Sequence, residues 1–457
     1  MRRGAFVASA RRIVPLAWPV MVGQLAVLAF STIDTMLVGR AGATDLAALA
    51  IGSSAYVTVF IGLMGVVLAV GPIAGQLFGA KHHAQAGAQL HQAMWLALLL
   101  AVPGCLLLLF PYPFLALSRA EPAVAEKVRG YLGALAFALP FALLFTAFRG
   151  FNTAVSRPKI VMALQLGSLA LKLPLTAWLV FGGAGLPALG AVGAGTATTI
   201  CMALQMAAAW VVLRRDPFYA PFALGTRLQR PHRASLAALL RLGVPMGGSV
   251  MVEVTGFSLM AIFIARLGTV PVAGHQIALN LVSAMFMVPL AIANASGTLV
   301  AQGIGAGDLR EARRVGWHGL ELGALVAAAM GAAVWLLREP ILFAYTRDAS
   351  IVAAALPLLA WVVLFHIADA AQTVAAFVLR AWRIAVVPML IYVTAIWGVG
   401  LAGGYALAFD LLGATPPSLR GAPGFWAAAT AGLVLAGAAL SGFLLWMLRR
   451  QRAAAVN

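Results

Sequence analysis

The sequence predicts an all-α polytopic membrane protein with twelve transmembrane helices in two six-helix lobes. Three observations lead to this prediction. Of the 457 residues, 63% are hydrophobic and only 10% are charged, whereas soluble domains carry about 25% charged residues. Apolar segments long enough to cross a bilayer, which takes roughly 20 residues, recur twelve times. Polar and glycine positions recur at a fixed offset between the two halves, so the lobes are predicted to form a parallel internal repeat.

The twelve apolar segments follow one another with short polar connections. The first is too long for the apolar region of a signal peptide and is not followed by a small-residue cleavage site, so we expect a retained span. Cys105 and Cys201 fall inside apolar segments, and we expect two buried thiols rather than a disulfide or a metal site. The predicted spans are residues 13–38, 47–71, 88–112, 124–148, 160–181, 188–213, 236–265, 275–300, 315–337, 350–372, 384–408 and 424–448.

The formal net charge of +18 does not predict nucleic-acid binding, because the basic residues lie in short clusters between apolar segments, as in loops that face an anionic membrane surface. With a cytoplasmic N-terminus, 22 basic residues fall in cytoplasmic segments, eight in outside segments and one, Lys172, within a span. The cytoplasmic set includes Arg149, Arg227 and Arg380, and the outside set includes Arg119. The positive-inside rule therefore predicts a multi-pass protein of the cytoplasmic (inner) membrane with both termini in the cytoplasm.

The longest loop lies almost at the midpoint of the chain. It is predicted to be a cytoplasmic linker, residues 214–234, between an N-terminal lobe (1–213) and a C-terminal lobe (235–457). One constant shift along the chain, the shift that takes Pro19 to Pro245, aligns like residues in the two lobes. An even number of crossings makes the repeat parallel. The other aligned pairs include Arg40 with Arg266, Gly71 with Gly297 and Gln76 with Gln302, after which the register drifts and Arg149 meets Arg380.

Three acidic residues lie deep within the predicted spans: Asp34 in the first, Glu253 in the seventh and Asp369 in the tenth. A carboxylate at the bilayer centre costs on the order of 3 kcal/mol, so each is a candidate functional residue. His366 lies three residues before Asp369 and shares its helix face. Asp34 aligns with Met260, so the lobes are predicted to share a scaffold but not a site.

The eighth span carries a polar stripe of Gln276, Asn280 and Ser283 at helical spacing. Because polar groups inside a membrane need protein or water partners, we expect this stripe to cluster with the acids and His366 of the second lobe. The alternative is a hydrogen-bond network that only locks helices together. Met260 and Phe286 belong to a Met- and Phe-rich set on spans seven and eight, which suits core or lipid contacts or, alternatively, an adaptable wall for apolar ligands.

Lys172 is a lone cation in the fifth span, and Asp34 is the only deep acid of the same lobe. Pairing two buried charges costs less than burying either alone, so we expect the two side chains to lie close together. The alternative is that Lys172 extends its ammonium group to one membrane face.

No nucleotide-binding P-loop, nucleophile-elbow GxSxG or HExxH zinc motif occurs in the chain. The sequence therefore predicts neither ATP hydrolysis nor protein-based hydrolytic chemistry. We expect a protein that is not an enzyme and that has no cofactor and no structural metal.

Three stretches resemble the multidrug and toxic compound extrusion (MATE) family over nearly the whole chain. They are STIDTMLVGRAGATDLAALAIGSS, KLPLTAWLVFGGAGLPALGAVGAG and AGHQIALNLVSAMFMVPLAIANASGTLVAQGIGAGDLREARR. The resemblance is to the NorM-like branch, because Glu253 and Asp369 are both present. It implies Na⁺- or H⁺-driven export of cationic drugs, with cation coupling at this pair and Asp34 as a first-lobe acid. The chain departs from the family at Lys172 and Thr176, where two asparagines usually flank the proline.

Acids and resemblance together predict a secondary antiporter that exports cationic or amphipathic drugs and toxins by alternating access, conferring multidrug and antibiotic resistance. Two carboxylates in a low dielectric cannot both stay charged without a counter-ion, so Na⁺ or H⁺ is expected at Glu253 and Asp369. We expect a monomer in contact with membrane lipids. The alternatives are a lipid-linked saccharide flippase of the same superfamily and an integral membrane transferase. A flippase would be expected to have more than the one deep basic residue found here.

The topology can be tested with a cysteine placed at Gln229 in the predicted linker. A membrane-impermeant thiol reagent applied to intact cells should leave it unmodified and should modify it in inside-out vesicles. Modification in intact cells would contradict the predicted orientation.

Overall fold

The computed structural model describes residues 2–118, 121–183, 185–225, 228–411 and 413–454, without the side chains of residues 2, 3, 117 and 451–454. Within these residues the structure is helical apart from one isolated bridge, Gly183 to Leu186. The α-helices are α1 (Arg2–Ala41), α2 (Ala43–Val67), α3 (Val70–Gly79), α4 (His83–Leu109), α5 (Tyr112–Ser118), α6 (Pro122–Ala154), α7 (Pro158–Phe181), α8 (Ala191–Arg215), α9 (Arg233–Ala265), α10 (Thr269–Gly305), α11 (Leu309–Leu336), α12 (Arg338–Tyr345), α13 (Ala349–Ala381), α14 (Val386–Tyr392), α15 (Gly403–Ala408) and α16 (Ala422–Ala454). A π-helix (Val393–Ala402) joins α14 to α15, and 3₁₀ helices cover Pro217–Phe222 and Pro417–Leu419.

Twelve helical segments in the described ranges are long and apolar enough to cross a membrane. The α2–α3 pair forms one of them, and α14, the π-helix and α15 form another. The short helices α5 and α12 lie between spans. The prediction of a twelve-span all-α membrane protein is confirmed, and every span overlaps its predicted segment.

Several helices continue one or two turns past the apolar segments that predicted them. α6 ends at Ala154 and α13 at Ala381, beyond the predicted ends at 148 and 372. The prediction that Arg149 and Arg380 are loop residues was therefore wrong. A charged residue ends an apolar segment, but the helix continues as long as its backbone hydrogen bonds are formed. Arg119 and Arg227, also used in the charge count, lie outside the described residues.

Four turns after long helices share one capping geometry. In each, a residue in the left-handed region follows the helix, and the next amide bonds back to a carbonyl five residues earlier, as in a Schellman cap. The left-handed residues are Lys81, Ser156, Gly307 and Arg383, and the bonds are His82 N to Leu77 O, Arg157 N to Asn152 O, Asp308 N to Gly303 O and Ile384 N to Leu379 O, at 2.8–3.0 Å. The shift from Lys81 to Gly307 equals the shift from Pro19 to Pro245, and the shift from Ser156 to Arg383 differs from it by a single position. The caps therefore support the predicted repeat.

The described residues pack into two units. Unit A comprises residues 22–247, and its central helix α6 packs against α2, α4 and α8. Unit B comprises residues 1–21 and 248–457, and its central helix α13 packs against α10, α11 and α16. The unit boundaries fall inside α1 and α9, at positions that the shift of the repeat superposes. The predicted lobe boundaries at the linker describe the sequence repeat, and they remain a prediction. They differ from the packing boundaries, which lie inside α1 and α9.

The linker is docked on unit A rather than loose. The Asp216 carboxylate accepts from Arg157 at 2.7 Å, and the Tyr219 hydroxyl donates to Asn152 Oδ1. Phe222 packs its ring against Phe78. Burial raises the pKa of Tyr219 to about 12, so this hydroxyl stays a neutral donor at physiological pH.

Within unit A, α2 and the first part of α9 cross at glycines. A Cβ atom at Gly65 would lie 2.6 Å from the Cα of Gly247, and one at Gly243 would meet the backbone of Val66. Small residues allow helix backbones to approach this closely. The crossing therefore leaves no room for a methyl group.

A Gly65→Ala variant should lower the thermal stability of the purified protein, because overpacking costs about 1–3 kcal/mol. The matched control is Gly133→Ala in α6, where an added Cβ meets nothing within 4 Å. This control should be neutral or more stable by up to about 1 kcal/mol. Equal melting temperatures for the two variants would contradict the close crossing.

Candidate functional site

Two helices bury polar side chains along one face. On α13 the buried polar residues are His366, Asp369, Gln372, Thr373 and Arg380. On α7 they are Gln165, Ser168, Lys172 and Thr176. Spacings of three and four residues place each set on one side of its helix. The polar face is therefore a packed face on both helices.

In unit B, Gln372 bridges the two deep carboxylates. Its Nε2 donates to Asp369 Oδ1 at 2.9 Å and to Glu253 Oε1 at 3.3 Å, and it lies 3.1 Å from Thr373 Oγ1. Gln372 is fully buried, and Asp369 is 4% exposed. Two acids from α9 and α13 therefore meet at one neutral amide.

Two further buried groups interact electrostatically with this acid pair. Arg380, three turns along α13 from Asp369, interacts with Glu253, and its guanidinium lies 4.8 Å from the Phe377 ring centre. Tyr392 on α14 interacts with both acids and with Arg380. Asp369 and Glu253 also interact with each other. One guanidinium therefore lies within electrostatic range of Glu253.

The π-helix holds α9 next to Glu253. The indole N–H of Trp397 donates to the carbonyl of Val252 at 3.1 Å. One helical turn further on, the π-helix and α9 enclose a small apolar pocket lined by Phe257, Met260 and Ile396, among others. π-helical turns often occur at functional sites, and this one sets the position of the backbone that carries Glu253.

In unit A, Lys172 forms a fully buried ion pair with Asp34. Its Nζ lies 2.8 Å from Asp34 Oδ1 and donates to Oδ2 at 3.0 Å. It also donates to the Ala194 carbonyl at 3.3 Å and to the Thr198 hydroxyl. Lys172 is 0% exposed. Since an ammonium group has three protons and no acceptor, all its donors are used here.

A family model, MatE, matches residues 19–178 and 245–406 of the chain. The chain belongs to the MatE family. The two matched segments of this one family begin at Pro19 and Pro245, the first aligned pair of the predicted repeat. The family predicted from the sequence is therefore confirmed.

Relatives and solved structures agree with MatE membership. The chain is 41% identical over 445 residues to "Probable multidrug resistance protein NorM" of Aromatoleum aromaticum, covering 97% of this chain and 95% of the relative. It is 37% identical over 448 residues to a protein of the same description from Chromobacterium violaceum, with the same coverage. The crystal structure of the eukaryotic MATE transporter AtDTX14 matches with a TM-score of 0.86 at 19% identity, covering 98% of this chain and 99% of that one. The NorM descriptions agree with the predicted NorM-like branch.

The MatE chain brings together only part of the predicted second-lobe cluster. Glu253 and Asp369 meet at Gln372, and Met260 lines the nearby pocket. His366 is 0% exposed, yet neither ring nitrogen has a hydrogen-bond partner among the described residues. It shares the helix face of Asp369 without bonding to it.

The polar stripe of the eighth span is exposed rather than buried in the cluster that the sequence predicted. Gln276, Asn280 and Ser283 lie on an exposed face of α10, and Phe286 is half-buried. The reason is a second stripe on the same helix. His275, Ala278, Val282 and Met285 are buried, and this mostly apolar face has more to gain from packing.

The sequence interpretation missed Gln372, Arg380 and Tyr392. Gln372 follows Asp369 by the same three-residue spacing that singled out His366, so a signal for it was present. Arg380 was placed in a loop, and nothing in the apolar eleventh span distinguished Tyr392. His275 was also missed, and its Nδ1 accepts from the Trp426 indole at 3.2 Å.

The ion pair in unit A can be tested with a double-mutant cycle of Lys172→Met and Asp34→Asn. Each single variant should lose about 3–5 kcal/mol of stability, because it leaves an uncompensated buried partner. The double variant should recover part of that loss, with an interaction energy of about 0.5–3 kcal/mol. Melting of the purified proteins checks this, and purely additive losses would contradict an energetic contact between the two side chains.

Proposed function

We propose that the chain is a secondary multidrug antiporter that exports cationic or amphipathic compounds in exchange for Na⁺ or H⁺ by alternating access. The relatives described as multidrug resistance proteins support the substrate class. The observation that carries the proposal is the carboxylate pair in unit B, in which the half-buried Glu253 and the buried Asp369 are joined by one amide. Buried acids within membrane spans are costly and mark ion pathways.

Charge balance explains why such a site takes up a cation. When ionised, Glu253 and Asp369 carry two negative charges against the one positive charge of Arg380. A buried net charge is strongly unfavourable, and one monovalent cation or one proton cancels it. An organic cation can cancel this net negative charge equally well. The coupling ion and the drug therefore replace each other beside the same acids.

Mutual replacement is what couples the two fluxes. A protein that opens to either side only when the site is neutralised cannot return empty, and each inward ion then allows one drug to leave. Under one-for-one exchange of monovalent cations, the membrane potential cancels and the concentration gradient of the coupling ion drives export.

Unit A is proposed to have no exchangeable cation, because Lys172 occupies the position beside Asp34 with a tethered charge. Asp34 then serves packing or a change of contact during the cycle. Coupling is assigned to unit B.

We further place the protein in the inner membrane as a monomer among lipids, with both termini in the cytoplasm. It requires the coupling ion and no other cofactor. The excess of basic residues in the predicted cytoplasmic segments supports this orientation.

Glu253→Gln and Asp369→Asn should each reduce drug efflux to the level of protein-free vesicles while the protein remains in the membrane. Each substitution removes a charge that the coupling ion must cancel. Efflux of ethidium from proteoliposomes, driven in turn by an imposed Na⁺ gradient and an imposed pH gradient, measures this and identifies the ion. Glu321→Gln, an exposed acid on α11, is the matched control and should transport normally. Wild-type efflux by both single variants would overturn the assignment.

A further inference from the structure

Gln372 uses only one end of its side-chain amide. Its Nε2 faces three acceptors, Asp369, Glu253 and Thr373, although it has only two protons. Its Oε1 is buried and has no hydrogen-bond partner among the described residues. An unpaired buried amide oxygen is unfavourable. The arrangement therefore gives the acids hydrogen bonds and leaves the amide oxygen without one.

We propose that Gln372 is a reversible ligand of the coupling site, donating to the acids when the site is empty and accepting when it is loaded. This rests on the proposed coupling function. In the empty site, the amide N–H groups compensate the two carboxylates. When a cation or proton enters, the terminal amide turns about its last side-chain bond and presents Oε1 instead.

The chemistry of the loaded site favours this change. A protonated carboxyl group keeps an acceptor oxygen but gains an O–H donor, and the unpaired Oε1 of Gln372 is an acceptor beside it. Hard cations such as Na⁺ are held by oxygen ligands, including side-chain amide oxygens, and an amide nitrogen offers them no lone pair. In both cases the oxygen of Gln372 supplies the acceptor or ligand that the loaded site can use. Glutamine can do so without adding charge, because both functions belong to one planar group.

The acid in unit A shows what happens when the donor lacks this ability. Lys172 contacts Asp34 there, but an ammonium group only donates and carries a fixed charge. It compensates its acid permanently, and no rotation of its side chain creates a ligand for a cation. The two units thus hold their acids with different donors, one permanent and one reversible. The choice of donor decides whether the acid can exchange its partner.

Three variants separate the two functions of the amide. Gln372→Lys keeps donation and removes acceptance, and it should abolish ion-driven efflux by copying the unit A pair. Gln372→Leu removes both and should raise the half-saturating concentration of the coupling ion about tenfold, because hydrogen bonds to charged groups are the strong ones. Gln372→Asn shortens the side chain and should show an intermediate loss. Gln205→Leu, a buried glutamine of unit A, is the matched control and should stay within about twofold of wild type.

The assay is ethidium efflux from proteoliposomes under an imposed Na⁺ gradient and, separately, under an imposed pH gradient. Ethidium binding to the purified proteins, measured by fluorescence anisotropy, is the second readout. For Gln372→Leu, which keeps both acids, the proposal expects the ion response to change while the dissociation constant for ethidium stays near the wild-type value. Gln372→Lys should also weaken ethidium binding, because its fixed charge cancels the charge that the drug would cancel. A residue that only holds helices together would weaken both.

The outcomes distinguish this inference from the function on which it rests. If neither gradient drives efflux by the wild-type protein, the coupling function fails and the inference fails with it. If one gradient drives the wild type and Gln372→Leu has the same half-saturating ion concentration, the role of Gln372 is overturned while coupling stands. A Gln372→Lys variant that folds, binds ethidium and still exchanges ions would overturn it as well.

Discussion

The compensation of buried charge is the constraint on which the rest of this structure depends. Helices in a membrane satisfy their own backbones, but an ionised side chain inside them needs a partner from another helix. Asp34 obtains a lysine, Glu253 and Asp369 share an amide, and Asp45 combines Lys127 with the backbone amide of Ala191. Each solution ties distant segments together. Among these three, the shared amide is the solution in which an acid is held by a neutral group rather than by a lysine.

The same scaffold carries these different solutions in its two units. The central helices α6 and α13, the four helix caps and the two matches of the family model all recur at nearly the same shift along the chain. The polar faces do not recur in this way. In unit A the ion pair joins α7 to α1, whereas in unit B the acid pair joins the central helix α13 to α9. In unit B one of the two acids therefore lies on the central helix.

The sequence was sufficient for the number of spans, the family and the deep acids that meet in unit B, because apolar length, helical spacing and the unfavourable burial of an acid are local signals. It was insufficient where neighbours decide. The polar stripe of Gln276, Asn280 and Ser283 could be assigned to one helix face from its spacing, but its exposure depends on the opposite, mostly apolar face of α10, which is buried. Arg380 was expected in a loop because the apolar segment of the tenth span ends before it, whereas the helix α13 continues past it. The contact of Lys172 with Asp34 could be anticipated because that lobe has one deep acid and one deep base.

The boundary between the packing units inside α1 has a consequence for biosynthesis. Residues up to 21 pack with unit B, whose remaining residues begin at 248. At ordinary translation speeds of about 5–20 residues per second, roughly ten to fifty seconds pass between the emergence of the two. All segments of unit A have been made once the first turns of α9 follow the linker. Unit A can therefore assemble before the N-terminal turns of α1 have their partners in unit B. The half of α1 that the ribosome makes first is among the last segments to find its partners.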